Sequence, residues 1–297
     1  LKNQEETPYE EVYIGTDMKS ILEKNRSSLI PNKEVVKSGL QTGFRDVDSV
    51  VGGFKPGQII VIGGRSGQGK TSFMCNIIKN MMVKNVLLFT LESYKKEALT
   101  KILLSHANIN YSKYLKGEFS PTESERLDCA EKYFKNFNIL IDDNTNIKPK
   151  EIELIARGMK DDQNLDIIFI DHLGLLKGEN NNKSEAENIS SIMRRFKALA
   201  KELKVPIVVL SYLKREIDPY LEELPILTSL KGSSSIESNA DIVLFLQHTN
   251  KYGSPIHLGA INVHVLKNRY GPKGTLLVGW HPSKELMGNH YKGAIRN

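Results

Sequence analysis

A short apolar run, Ile59-Ile-Val-Ile62, feeds directly into Gly63-Gly-Arg-Ser-Gly-Gln-Gly-Lys-Thr71, which holds a complete G-x-x-x-x-G-K-[ST] phosphate loop from Gly64 to Thr71. That pattern is strongly constraining. Glycines let consecutive backbone N–H groups turn inward around phosphate oxygens, and the helix that follows presents its positive N-terminal end to the same charge. The β-branched run before the loop and the helical stretch from Phe73 to Met82 after it supply the strand and helix that this geometry requires. The predicted nucleotide-binding residues are Gly64, Arg65, Ser66, Gly67, Gln68, Gly69, Lys70, Thr71 and Ser72. Lys70 is placed to reach the β- and γ-phosphates, and the Thr71 hydroxyl to ligate a bridging Mg2+ ion. ATP, or another nucleoside triphosphate, is the expected cofactor.

Downstream of Gly52, apolar strands alternate with helical patterns: Ile59 to Ile62, Val86 to Thr90, Ile139 to Ile141, Ile167 to Ile170, Ile207 to Leu210 and Ile242 to Leu246. Alternation of this kind predicts an α/β fold, a mostly parallel sheet covered by helices on both faces. Residues 261–266 and 275–280 read instead as a hairpin at one edge of the sheet, turning around Tyr270-Gly271-Pro272-Lys273-Gly274. The polar segment 178–185 precedes an amphipathic helix whose apolar face is Ile189, Ile192, Met193, Phe196, Leu199, Ala200 and Leu203. Arg194, Arg195, Lys197 and Lys201 lie off that face, one reading of which is ordinary solvated charge.

Hydrolysis needs more than a phosphate loop: a second acidic anchor for magnesium and a group to position and deprotonate water. Asp171 ends the buried run Asp166-Ile-Ile-Phe-Ile170 and is read as the magnesium anchor. Glu92 ends Val86-Leu-Leu-Phe-Thr-Leu91 and is read as the catalytic base. A lone strand-end acid more often caps the next helix, but two of them downstream of a phosphate loop favour catalysis.

Composition narrows the partners. The net charge of +6 permits a nucleic-acid partner without demanding one. No apolar run reaches the roughly 18 residues of a membrane span and no signal peptide opens the chain, so a cytoplasmic location without membrane association is expected. Cys75 and Cys129 are far apart and outside any C-x-x-C pair, and both are read as buried, reduced packing residues. Leu1 rather than methionine at the start suggests a piece of something longer.

Several segments together resemble DnaB-type replicative helicases over residues 38–285: Gln41-Thr-Gly-Phe-Arg-Asp-Val-Asp48, Gly52-Gly-Phe-Lys-Pro-Gly57, the phosphate loop, Leu91-Glu-Ser93 and Leu165-Asp-Ile-Ile-Phe-Ile-Asp-His-Leu173. Phe196 to Pro206, Ser235 to Val243 and Lys267-Asn-Arg-Tyr-Gly-Pro-Lys-Gly274 continue the same order. Departures from the cellular members suggest a phage-encoded or otherwise divergent one, working in a bacterial or phage-infected cytoplasm.

The resemblance implies a RecA-like ATPase core that forms a homo-hexameric ring around single-stranded DNA, with primase, a helicase loader and the polymerase clamp-loading machinery as partners. It implies that Arg269 is an arginine finger entering the neighbouring subunit's site, accompanied by Lys267. It implies that Lys231, Gly232, Ser233 and Ser234 track the DNA backbone, residues 178–185 being a second candidate loop. It makes residues 1–38 a linker with an oligomerisation helix around Met18 to Leu29, and residues 39–297 the motor domain. Two glutamines common in the family are Gly174 and Tyr212 here; Tyr212 takes the position that senses the γ-phosphate. Two other functions share the fold: a RecA-like strand-exchange recombinase, and a non-translocating nucleotide switch.

Overall fold

The computed structural model describes residues 39–81, 85–178, 184–213, 226–230, 233–248 and 259–289. The expected helix from Met18 to Leu29 lies outside them, as do Lys231, Gly232 and most of the 178–185 segment.

Among the described residues, nine strands form one sheet: β1 Ile59–Gly64, β2 Asn85–Thr90, β3 Asn138–Asp142, β4 Ile167–Asp171, β5 Ile207–Tyr212, β6 Ile242–His248, β7 Ala260–Asn268, β8 Gly274–His281 and β9 Leu286–Asn289. Their spatial order is β3-β2-β4-β5-β1-β6-β7-β8-β9. The first six pair in parallel, and β7 to β9 extend β6 in antiparallel fashion. The hairpin expected from sequence is β7–β8, but β9 lies outside it as the edge strand. At four residues including a glycine, Leu286-Met-Gly-Asn289 is too short to announce itself by alternation.

Burial on both faces explains why the parallel strands read as continuous apolar runs. In β1, Ile60 and Ile62 enter one core with Phe73, Met74 and Ile77 of the helix Lys70–Asn80 and Ala98 and Ile102 of the helix Lys95–Ala107. Ile59 and Val61 face the other core, built on Ile152 and Ala156 of the helix Pro149–Gln163 and on the helix Glu185–Leu203. All seven apolar residues expected to face the core from Glu185–Leu203 are buried. That helix starts on a capping box in which Ser184 Oγ accepts from Glu187 N and Glu187 Oε2 accepts from Ser184 N at 2.8 Å.

The motif from Gln41 to Asp48 has a packing role. Asp48 accepts from Thr42 N and Thr42 Oγ1 at 2.8 Å and from Gly43 N at 3.0 Å. This tight turn seats Gly43 against Asn80, at the end of the phosphate-loop helix, where a Cβ would come within 2.4 Å of the Asn80 Cβ.

Cys75 is buried as expected and burial pushes its thiol far up, whereas Cys129 is exposed on the outer side of the helix Pro121–Phe134. Of the basic residues of Glu185–Leu203, Arg194 and Lys201 are exposed as a solvated face requires, but Lys197 and Arg195 are not. Lys197 Nζ reaches inward to donate to Gly57 O at 2.8 Å and to the fully buried Asp241 at 2.6 Å, and Arg195 pairs with Glu153 at 2.7 Å.

Gly63 sits where β1 meets Leu230, and a Cβ there would lie 2.4 Å from Leu230 Cδ2 and 3.3 Å from Phe245 Cδ2. Leu230 is fully buried and has no room to yield. Gly63→Ala is therefore expected to lower unfolding stability by about 1–3 kcal/mol in urea titrations, the usual cost of overpacking a core.

Candidate nucleotide-hydrolysis site

The parallel strands deliver their last residues to one edge of the sheet, the place where open α/β sheets bind ligands. Register aligns Gly64 of β1 with Tyr212 of β5, and Thr90 of β2 with Asp171 of β4, and Glu92 follows β2 by two residues. Neighbouring strands thus bring Lys70, Thr71, Asp171, Glu92 and Tyr212 together from positions up to 142 residues apart.

The phosphate loop has the expected form. Gly67 and Gly69 hold φ of 76° and 78°, left-handed values that favour glycine, and Gly69 caps the helix Lys70–Asn80. Lys70 is 5% exposed, its Nζ donating to Arg65 O at 2.9 Å and lying 3.7 Å from the centroid of the Tyr212 ring. Burial draws its ammonium down to about 8, against the opposing pull of Asp171 and Glu92. Thr71 Oγ1 donates to Asp171 Oδ2 at 2.7 Å. The other Asp171 oxygen, Oδ1, is buried with no hydrogen-bond partner among the described residues. Burial pushes this carboxyl up to about 6, with Glu92 adding to the rise and Thr71 and Lys70 opposing it.

A hydroxyl and an unsatisfied carboxylate oxygen side by side are hard oxygen donors that suit magnesium. Among the described residues no group of three or more His, Cys, Asp or Glu side chains could hold a metal by itself.

Two supports of the site carry no motif in the sequence. His248, at the end of β6, donates its backbone N–H to Gln68 Oε1 at 2.6 Å, and its Nε2 lies 3.2 Å from Gly67 O, fastening the loop from the side. Glu285, just ahead of β9, accepts from Ser72 Oγ and pairs with Lys101 at 3.1 Å, while Asn76 donates to Glu285 O at 2.7 Å and accepts from Met287 N of β9 at 3.0 Å, so this edge is tied to the first two turns of the phosphate-loop helix. Ser72, predicted to bind nucleotide, is committed to this clamp. At the opposite end of β1, the Asp241 carboxylate accepts from Ile59 N at 2.8 Å, from Lys197 and, at 3.2 Å, from Arg269. It stands just ahead of an apolar strand, within the segment Ser235 to Val243 that shares the resemblance.

Arg269 and Lys267 are not in this cluster. Arg269 N donates to Asp241 O and Asp241 N donates to Ile59 O, so Arg269 lies level with the first residue of β1. The phosphate loop starts at the other end of that strand, about 16 Å away at roughly 3.3 Å per residue. Lys267 Nζ donates to Glu237 O, and burial, followed by the nearby Arg269 charge, pulls its ammonium down. Of the expected DNA-contacting residues, Ser234 lies exposed in the helix Ser233–Asn239, which also contains Ser233.

A phosphate loop on an inner parallel strand, with a strand-end aspartate hydrogen-bonded to its threonine and a strand-end glutamate beside it, defines a RecA-like nucleotide-binding α/β domain. The family model for the DnaB-like helicase C terminal domain matches residues 39–289, and the chain belongs to that family. It is 32% identical to the replicative DNA helicase DnaB of Geobacillus stearothermophilus over 253 residues, covering 84% of this chain and 56% of that protein. Against the replicative DNA helicase DnaC of Bacillus subtilis it is 32% identical over 244 residues, 80% of this chain and 54% of the relative. The chain thus spans about half the length of these relatives.

Among solved structures, one described as an ATPase domain superposes with a TM-score of 0.82 at 28% identity, covering 92% of this chain and 97% of that one. A DnaB-like replicative helicase, solved in a study of its interactions with primase, gives a TM-score of 0.85 at 27% identity, over 93% of this chain and 69% of that one. Among the described residues no helix is long and apolar enough to cross a membrane.

Proposed function

We propose that this chain is the motor domain of a replicative DNA helicase, hydrolysing ATP at the interfaces of a homo-hexameric ring to move along single-stranded DNA and unwind duplex at the fork. The observation that carries the reading is the division of the machinery between opposite ends of one sheet. Lys70, Thr71, Asp171 and Glu92 converge at the carboxyl edge, and Arg269 lies at the other end, level with Ile59. An arginine side chain is too short to span β1, so a finger at Arg269 serves a neighbouring subunit.

Within one site, the N–H groups of the loop and Lys70 bind the nucleotide phosphates. Thr71 and Asp171 would hold Mg2+, which neutralises charge on the phosphates when bound. Glu92 accepts a proton from the attacking water as its oxygen bonds to the γ-phosphorus, and the bond from that phosphorus to the β–γ bridging oxygen breaks, releasing ADP and phosphate. Arg269 of an adjacent copy stabilises the charge on the transferring group.

Single-stranded DNA is the proposed track, contacted by residues 231–234. Leu213, next to Tyr212, forms an antiparallel bridge with Leu230, which directly precedes that segment. This offers a short route from the nucleotide to the DNA. The relative studied with primase supports primase as a partner; a helicase loader, the clamp-loading machinery and a cytoplasmic location are part of the same proposal.

The test is steady-state ATP hydrolysis with and without single-stranded DNA, over protein concentrations that span assembly, with Lys70→Ala as the inactive control. DNA stimulation, with a rate rising more steeply than protein concentration, is expected. An assembled protein whose appreciable rate ignores DNA would overturn the helicase reading in favour of a nucleotide switch. Strand pairing without unwinding would favour a recombinase.

A further inference from the structure

Gly174 and Tyr212, the two positions where the resemblance leads one to expect glutamine, meet around His172. Tyr212 ends β5 opposite Gly64, which sets its ring beside the phosphate loop. Its hydroxyl lies 2.8 and 2.7 Å from the two carboxylate oxygens of Glu92, and its ring face carries the Lys70 ammonium at 3.7 Å. The imidazole of His172 meets the phenol edge to face, with centroids 4.4 Å apart and planes at 88°. Gly174 in turn fixes that imidazole: its N–H donates to His172 Nδ1 at 3.1 Å, and a Cβ at this position would stand 3.1 Å from His172 Cε1. The missing side chain at residue 174 makes room for the ring that backs Tyr212.

We propose that Tyr212, backed by His172 over Gly174, is the positioning residue of the hydrolytic centre, holding the Glu92 carboxylate and the Lys70 ammonium beside the phosphate loop. This rests on the reading of Glu92 as the base. Glu92 is exposed, so core packing does not orient its side chain. A phenol mounted on a buried strand and braced by an imidazole supplies that orientation. The aromatic face also holds an ammonium by cation–π attraction, which an amide side chain cannot do. Burial first, and Glu92 next, push the phenol well above its ordinary range, so it stays a hydrogen-bond donor at neutral pH.

Four proteins test the proposal: wild type, Tyr212→Phe, Glu92→Gln and the double variant, each measured for single-turnover ATP hydrolysis across pH and for affinity towards a fluorescent ATP analogue. Phenylalanine keeps the ring under Lys70, so nucleotide affinity is expected to stay within about twofold, while the hydrolysis rate falls about tenfold, a fraction of what general-base catalysis supplies. In the Glu92→Gln background, Tyr212→Phe should cost nothing further, because the carboxylate it positions is gone. A wild-type rate in Tyr212→Phe, or an equal loss in both backgrounds, would overturn the proposal while leaving the base assignment standing. A Glu92→Gln protein as fast as wild type would instead sink the base assignment itself.

Discussion

Arg269→Ala is expected to slow steady-state ATP hydrolysis about a thousandfold, the lower range of what arginine fingers contribute, while nucleotide affinity changes by no more than a few-fold. The asymmetry follows from position. Arg269 is anchored to Asp241 at the end of the sheet remote from its own phosphate loop, so its loss leaves the binding groups of its own subunit in place. Lys70→Ala, by contrast, removes the cation proposed to bind phosphate and should lose affinity and turnover together. Mixing the two inactive proteins gives the decisive measurement. If the finger acts across an interface, an intact site forms wherever a subunit carrying Arg269→Ala presents its loop to a neighbour carrying Lys70→Ala, and part of the rate returns. Mixed assemblies with no recovered activity would place the finger's action within its own subunit.

Asp171→Asn is expected to separate stability from activity. The carboxyl is 1% exposed and is pushed up to about 6 from an ordinary value of 3.8. The folded state therefore holds this proton more tightly than the unfolded chain does. The stability that the group contributes is fully present below pH 3.8 and is lost as pH rises through about 6, leaving a buried charge at neutral pH. The gap between the two values corresponds to about 3 kcal/mol. Asparagine cannot ionise and escapes this loss, so in the absence of nucleotide the variant should be more stable than wild type at about pH 8, by up to about 3 kcal/mol, and the gain should shrink towards about pH 5. Hydrolysis should nevertheless fall at least about a hundredfold if Asp171 is the magnesium anchor proposed above, because that anion is then lost from the phosphoryl-transfer centre. Urea unfolding at the two pH values and ATP turnover at neutral pH check both halves. A variant less stable than wild type at the higher pH would contradict the buried-charge account.

The two variants differ in how far the sequence alone could take them. Asp171 is legible because a buried parallel strand must be apolar on both faces, which leaves a carboxylate at its end conspicuous. Arg269 is reached only through resemblance. The antiparallel register of β7 on β6, which sets it beside Asp241 and Ile59, is what separates it from its own loop. Lys197 reads as surface charge because periodicity reports the face a residue starts from, not where a long side chain ends. Its ammonium finds Asp241 across the start of β1.

The sequence by itself determined the phosphate loop, the parallel α/β core, the strand-end acids and the apolar face of the helix Glu185–Leu203, since each is a local pattern dictated by glycine torsions, strand burial or helical period. The tertiary structure alone decided what holds those parts in working order: His248 on Gln68, Glu285 on Ser72 and Lys101, and Tyr212 between Glu92 and Lys70. These are contacts between residues distant in the chain, made through single side chains with no period or spacing of their own. They exist only once the strand order and register have carried their elements to the same edge of the sheet.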